Sequence, residues 1–189
     1  MVSTAALASS SEGNIGLTNL GFLTVLHEAS GYLGGYLVTN VWGRPLEFRL
    51  SSAVQPNRVH QILYAGTLEG YVCADLIAKT LVDKTAVPVQ LLLTDREPVL
   101  DLRLKLEVPV LWLASADDPR SIDLTERGAL VMPGSTEHGP LLCHPRFGND
   151  VALARELLNR LGGFDLAEPF ARIREAIGEA RKMGVGQHK

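Results

Sequence analysis

Cysteine is scarce in this sequence. Cys73 and Cys143 are the only two in a chain of 189 residues, and they form no CxxC pair. No disulfide framework or zinc site is therefore signalled. Cys73 falls in an apolar stretch and is expected to be a small core residue, as free cysteine often is. Long apolar runs are also missing. None approaches the roughly 18–20 residues that a bilayer crossing needs, so no membrane partner is expected. A basic stripe is missing too, since the net charge is −3 and the arginines are scattered among acidic residues. Nucleic-acid binders gather Lys and Arg on one face because phosphate contacts dominate their affinity, so no nucleic-acid partner is expected. Signatures with a known mechanism are absent as well: no Walker loop, no GxGxxG between a strand and a helix, no GxSxG and no HExxH. The Ala- and Ser-rich start, Met1 to Ser11, has no positive residue before its apolar stretch and makes a poor signal peptide. A cytoplasmic, bacterial-type protein is the expectation.

What is present is ordinary globular material, 46 % hydrophobic and 21 % charged. A chain of this length forms one domain and buries roughly 70 % of its unfolded surface. Residues 1–20 read as a flexible leader, 21–184 as a single globular domain and 185–189 as a frayed tail.

Phe22 to Glu28 and Tyr32 to Asn40 read as strands around a Ser30-Gly31 turn. Leu46, Phe48 and Leu50 alternate with Glu47, Arg49 and Ser51, the period of a half-buried strand. Together these predict an antiparallel three-strand meander. Pro56 suits a helix start, with Val59, Ile62 and Leu63 at helical spacing. Gly66 ends that helix, Thr67 caps the next, and Leu68, Tyr71, Val72, Leu76 and Ile77 form its apolar face. The runs from Val87 to Leu93 and from Val108 to Ala114 suit strands buried on both faces. Between them, Leu100, Leu102, Leu104 and Leu106 alternate like a strand. The segment's position between two buried strands favours a short crossover helix and a βαβ-like unit. Ala129 to Met132 and Leu141 to His144 read as short edge strands. A helix follows from Asp150 to Leu161. The last helix opens at Asp165 with Glu168 completing a capping box, and carries Leu166, Phe170, Ile173, Ile177 and Ala180 as one stripe. The fold class expected is mixed α/β: the meander and the βαβ-like unit in one mixed sheet, helices packed on it and an amphipathic helix at the C-terminus.

Three places hold candidate function. Gly34 and Gly35 sit together inside a strand, where glycine weakens pairing and marks close approach of another chain. Trp42 lies in the turn after it, and an exposed aromatic there is a contact residue. An edge strand with such a pair accepts an extended peptide by strand addition. The second place is acidic: Asp95 follows one buried strand, and Asp117 and Asp118 follow the other. Ligands of parallel sheets collect at strand carboxyl ends, so these three carboxylates are candidate Mg²⁺ ligands or catalytic groups. The third is Glu137-His138 with Cys143-His144. Strand alternation puts Cys143 and His144 on opposite faces, which argues against their acting together.

The preferred reading is a non-catalytic protein- or peptide-binding or assembly module without a cofactor. Its binding residues are Gly34, Gly35 and Trp42, and it self-associates through the 165–183 helix. The alternative is a small Mg-dependent hydrolase or phosphotransferase using Asp95, Asp117 and Asp118.

Overall fold

The computed structural model describes residues 18–115, 117–121, 139–159, 161 and 163–184. The expected leader up to residue 17, the strand at 129–132, the Glu137-His138 pair and the tail from 185 lie outside the described residues. The fold class is the one expected. One mixed sheet of six strands runs in the order β3-β2-β1-β4-β5-β6.

The meander comprises β1 (Asn19–Glu28), β2 (Gly31–Asn40) and β3 (Pro45–Leu50). β1 and β2 pair antiparallel from Asn19 opposite Asn40 to Glu28 opposite Gly31, and β2 pairs antiparallel with β3. β4 (Leu91–Thr94) lies parallel to β1, and β5 (Val110–Leu113) lies parallel to β4. β6 (Leu141–Cys143) closes the far edge antiparallel to β5. β4 is shorter than the run that announced it. Pro88 cannot donate to a ladder, and pairing starts only where Leu91 meets Leu20.

Both parallel connections cross one face of the sheet. The first carries α1 (Arg58–Tyr64) and α2. α2 is continuous but unevenly wound: α-helical over Leu68–Gly70, π-wound over Tyr71–Ala78 and α-helical again over Lys79–Asp83. The second connection is a 3-10 helix, Glu97–Lys105. The crossover helix is therefore present but tighter than an α-helix. Three residues per turn put Val99 and Leu102 on one line, and both are buried together with Leu100, while Leu104 is exposed. The other face carries α3 (Asp150–Asn159) and α4 (Glu168–Lys182).

Two apolar layers result. Leu23, Val25, Tyr36, Val38, Leu92 and Trp112 pack with Val72, Cys73 and Ile77 of α2 and with the 3-10 helix. Leu20, Phe22, Leu37, Leu93 and Leu111 pack with Phe170, Ile173 and Ile177 of α4. Burial of each large side chain stabilises by about 1.5–3 kcal/mol. Cys73 is buried, and burial pushes its thiol up to about 12.

Several local devices differ from those expected. Pro56 falls just outside the first turn of α1, and Asn57 caps it: its side chain accepts from His60 N–H at 2.9 Å. Thr67 stands at the N-cap position of α2 as expected, but its hydroxyl donates to the Tyr64 carbonyl at 2.8 Å instead of accepting from the helix. Asp165 accepts from Ala167 N–H at 2.8 Å, a turn before α4 rather than a capping box. Val59, Ile62 and Leu63 line an exposed face, and no residue of α1 is buried.

The glycine pair is the main correction. β2 is flanked on both sides, by β1 and β3, so it has no free edge for a peptide to join. Successive residues of a strand face opposite ways. A Cβ at Gly34 would strike Ile77 of α2, and one at Gly35 would strike Ile173 of α4. The two glycines are where helices press onto the sheet from both sides. The stripe of α4 likewise faces its own sheet, with Phe170, Ile173 and Ile177 buried, and is not free to pair with a second copy. Trp42 is exposed in the β2–β3 turn, as the sequence suggested.

Candidate functional site at the carboxyl ends of β4 and β5

β4 ends at Thr94. Its hydroxyl accepts from Arg96 N–H at 3.1 Å, and Val99 N–H then bonds the Arg96 carbonyl at 3.0 Å. This turn starts the 3-10 helix and sends Asp95 to one side of the sheet edge and Arg96 and Glu97 to the other.

Asp95 turns to the α4 side and pairs with Arg174. Its Oδ1 is buried without a hydrogen-bond partner among the described residues. Asp118 lies on the other side. It is held by Arg120, at 2.8 Å from Nη2, and that guanidinium sits over the Trp112 ring, 5.6 Å from its centroid. Trp112 belongs to the layer under α2. Asp117 is exposed beside Asp118. The three carboxylates named from the sequence are thus not brought together. Among the described residues no group of three His, Cys, Asp or Glu side chains is placed to hold a metal ion.

A different set converges on the α2 side of this edge. Arg96 pairs with Glu69, near the start of α2, at 3.1 Å. Its Nε is buried and has no partner among the described residues. Arg120 reaches Glu97 at 3.6 Å. Glu97 is half-buried, and its carboxyl is held above the usual glutamate range. Burial is the largest cause. Asp101, Glu69 and Asp118 add like-charge repulsion, and Arg120 opposes it. Asp118 moves the other way: hydrogen bonding to Arg120 holds it below the usual aspartate range. Two neighbouring carboxyls with pKa values pushed apart are the pattern of an acid and its ionised companion.

Asp101 extends the cluster. Its Oδ1 lies 3.5 Å from His144 Nε2. His144 Nδ1 accepts from Arg146 N–H at 3.2 Å, which leaves the ring proton on Nε2, facing Asp101. Burial holds the imidazole below its ordinary pKa, with Asp101 opposing. Gly70 completes the arrangement: a Cβ there would come within 3.0 Å of Asp101 Oδ2. Cys143 faces the layer under α4 instead, so Cys143 and His144 point to opposite faces as expected.

Sequence reading missed Glu97, Glu69, Asp101, Arg96 and Arg120. The position of Glu97 after a buried strand was the available signal. Its neighbours come from α2 and from beyond β5, and no local pattern joins them.

No protein family matches the sequence, and no curated protein matches it. Solved structures with some likeness include two complexes of Ciona intestinalis endonuclease V with DNA containing an inosine followed by a ribo-adenosine. One, with a 23mer, is 7 % identical with a TM-score of 0.34, covering 65 % of this chain and 62 % of the other. The second, with a 24mer, is 9 % identical with a TM-score of 0.38, covering 68 % and 72 %. The match to the first spans less than two thirds of that protein's length. Both are complexes with DNA, whereas the sequence had suggested a protein- or peptide-binding module with no nucleic-acid partner. That expectation is withdrawn, and the interior position of the glycine pair and the covered stripe of α4 remove its physical basis. TM-scores this low say nothing about what this chain binds.

Proposed function

We propose that the carboxyl edge of β4 and β5 on the α2 side is the active site of an enzyme. Glu97 is the proton-transfer residue, and Arg96 and Arg120 hold an anionic group of the substrate. The single observation behind this reading is the Glu97 environment. Burial and three like charges raise the pKa of a half-buried carboxyl that has a guanidinium 3.6 Å away. Carboxyls with raised pKa values concentrate at catalytic sites, because a proton donor must hold its proton towards the working pH. Arg96 adds an unused donor at the same edge. Its guanidinium is occupied by Glu69, a pair exposed enough for an anionic substrate to displace, and the Arg120 side chain beside it is 54 % exposed.

The test is a hydrolysis screen of p-nitrophenyl esters, bis-p-nitrophenyl phosphate and short single- and double-stranded DNA, run with the intact chain and with Glu97→Gln. The expected result is turnover of an anionic substrate that falls ~100-fold or more in the variant, the usual worth of a positioned proton donor. Arg96→Ala should raise KM more than it lowers kcat. Turnover that survives Glu97→Gln unchanged would remove Glu97 from the chemistry.

A further inference from the structure

The chain has four tyrosines. Tyr32 and Tyr36 are buried, at 9 % and 1 % exposure. Tyr64 and Tyr71 are half-buried and stacked face to face, with ring centroids 3.9 Å apart and planes 11° from parallel. The nearby Tyr71 hydroxyl raises the Tyr64 pKa. His60 flanks both rings, at 6.3 Å from Tyr64 and 6.1 Å from Tyr71.

The stack joins two elements that hold each other loosely. Tyr64 ends α1, which buries no residue, and Tyr71 begins the π-wound part of α2. The corner between them is strained. Ala65, at φ 42°, is the one non-glycine with positive φ among the described residues. The stacked rings are the clasp that fastens α1 to the body of the domain.

We propose that the Tyr64–Tyr71 pair is an oxidative modification site, at which a one-electron oxidant of the peroxide–peroxidase class couples the two rings into dityrosine and locks α1 onto α2. Each phenol gives up one electron and its hydroxyl proton and becomes a phenoxyl radical. The radicals pair at ring carbons ortho to the oxygens, forming one carbon–carbon bond. The two ortho hydrogens then pass to the oxygens as the rings regain aromaticity. The protein loses two hydrogen atoms in all, and one hydrogen peroxide is reduced to two waters. Coupling between free tyrosines needs an encounter of two radicals; here the partners are already in contact, which removes that entropic barrier. Tyr32 and Tyr36 are shielded from an oxidant that works at the surface. Trp42, 72 % exposed, is the competing electron donor.

The experiment treats the full chain with hydrogen peroxide and a haem peroxidase. It reads intact mass, dityrosine fluorescence and cross-linked peptides. The expected product is a single chain lighter by two hydrogens, linked between Tyr64 and Tyr71. Tyr64→Phe and Tyr71→Phe keep the ring stack and should each abolish the link, whereas Tyr32→Phe should leave it intact. Links between chains, a link through Tyr32 or Tyr36, or oxidation that ends on Trp42 with Tyr64 and Tyr71 unchanged would each overturn the proposal. The outcome is independent of Glu97 and its neighbours.

Discussion

Arg103→Ala is expected to destabilise the fold by ~3–5 kcal/mol, because it strands a buried carboxylate. Arg103 grips Asp150 with two bonds, Nε to Oδ2 at 2.6 Å and Nη2 to Oδ1 at 3.1 Å. Its Nη1 donates to the Leu106 carbonyl at 2.6 Å, and its guanidinium lies 4.0 Å from the centre of the Phe147 ring. The side chains of Arg103 and Asp150 are only 14 % and 3 % exposed. The pair ties the end of the 3-10 helix to the first turn of α3, across the sheet edge that carries His144. Lysine lacks the fork that matches a carboxylate, so Arg103→Lys should recover only part of the loss. Arg103→Ala with Asp150→Ala should cost much less than the two single changes summed, since no charge is then left unpaired. Urea unfolding of the four proteins in this cycle is the measurement. A single-variant loss below ~1 kcal/mol would show that the pair behaves like an exposed one.

The second large effect falls on the glycine pair. Gly34→Ala drives a methyl into Ile77 and Leu81, and Gly35→Ala drives one into Ile173 and Ile177. Overpacking of this kind costs ~1–3 kcal/mol per site, and valine at either position should cost more. The two glycines face different layers, so the losses should add. Partial rescue is expected from Gly34→Ala with Ile77→Val and from Gly35→Ala with Ile173→Val. Crossing the rescues, Gly34→Ala with Ile173→Val, should recover nothing. Thermal or urea unfolding decides it; an alanine tolerated at both positions would mean that the helices stand off the sheet.

Both effects mark the limit of what the sequence made legible. The apolar runs around Leu91 and Val110 located the two central strands, because burial on both faces leaves a pattern along the chain; the period of two over Leu46, Phe48 and Leu50 also located β3, but not its buried face, since Leu46 and Phe48 are exposed on that edge strand. The pattern does not say which strand lies in the middle. Gly34 and Gly35 were legible as a place of close approach, but the approaching element was a helix on each side rather than a peptide at an edge. That distinction depends on β1 and β3 both claiming β2. The stripe of α4 was equally plain, and its partner was its own sheet. The alternating leucines of 99–107 fitted two periods. A 3-10 helix, with three residues per turn, buries Val99, Leu100 and Leu102 and leaves Leu104 outside. For the proposed site, the strand-end rule pointed to the same edge and to Asp118. It missed that Asp95 faces the opposite layer. Glu97 acquires its character from burial first and then from Arg120, Asp101, Glu69 and Asp118, which come together only in the folded chain.

The raised pKa of Glu97 has a consequence for stability. The folded-state pKa of Glu97 lies above its unfolded value, so folding binds this proton more tightly. The associated stability is fully present below the unfolded pKa and is lost as pH rises through the folded one. Glu97→Gln keeps the uncharged form at every pH. The variant should therefore match the parent in acid and exceed it at neutral pH, by less than ~1 kcal/mol because the side chain is partly exposed.

The most direct measurement is a pH titration of the Glu97 side-chain carboxyl by carbon NMR, assigned with Glu97→Gln. The expected midpoint lies above the ordinary glutamate value of 4.5, and it moves higher still in Arg120→Ala, where the opposing guanidinium is gone. A midpoint at or below the ordinary value, unmoved by Arg120→Ala, would contradict Glu97 as a proton donor poised at the ends of β4 and β5.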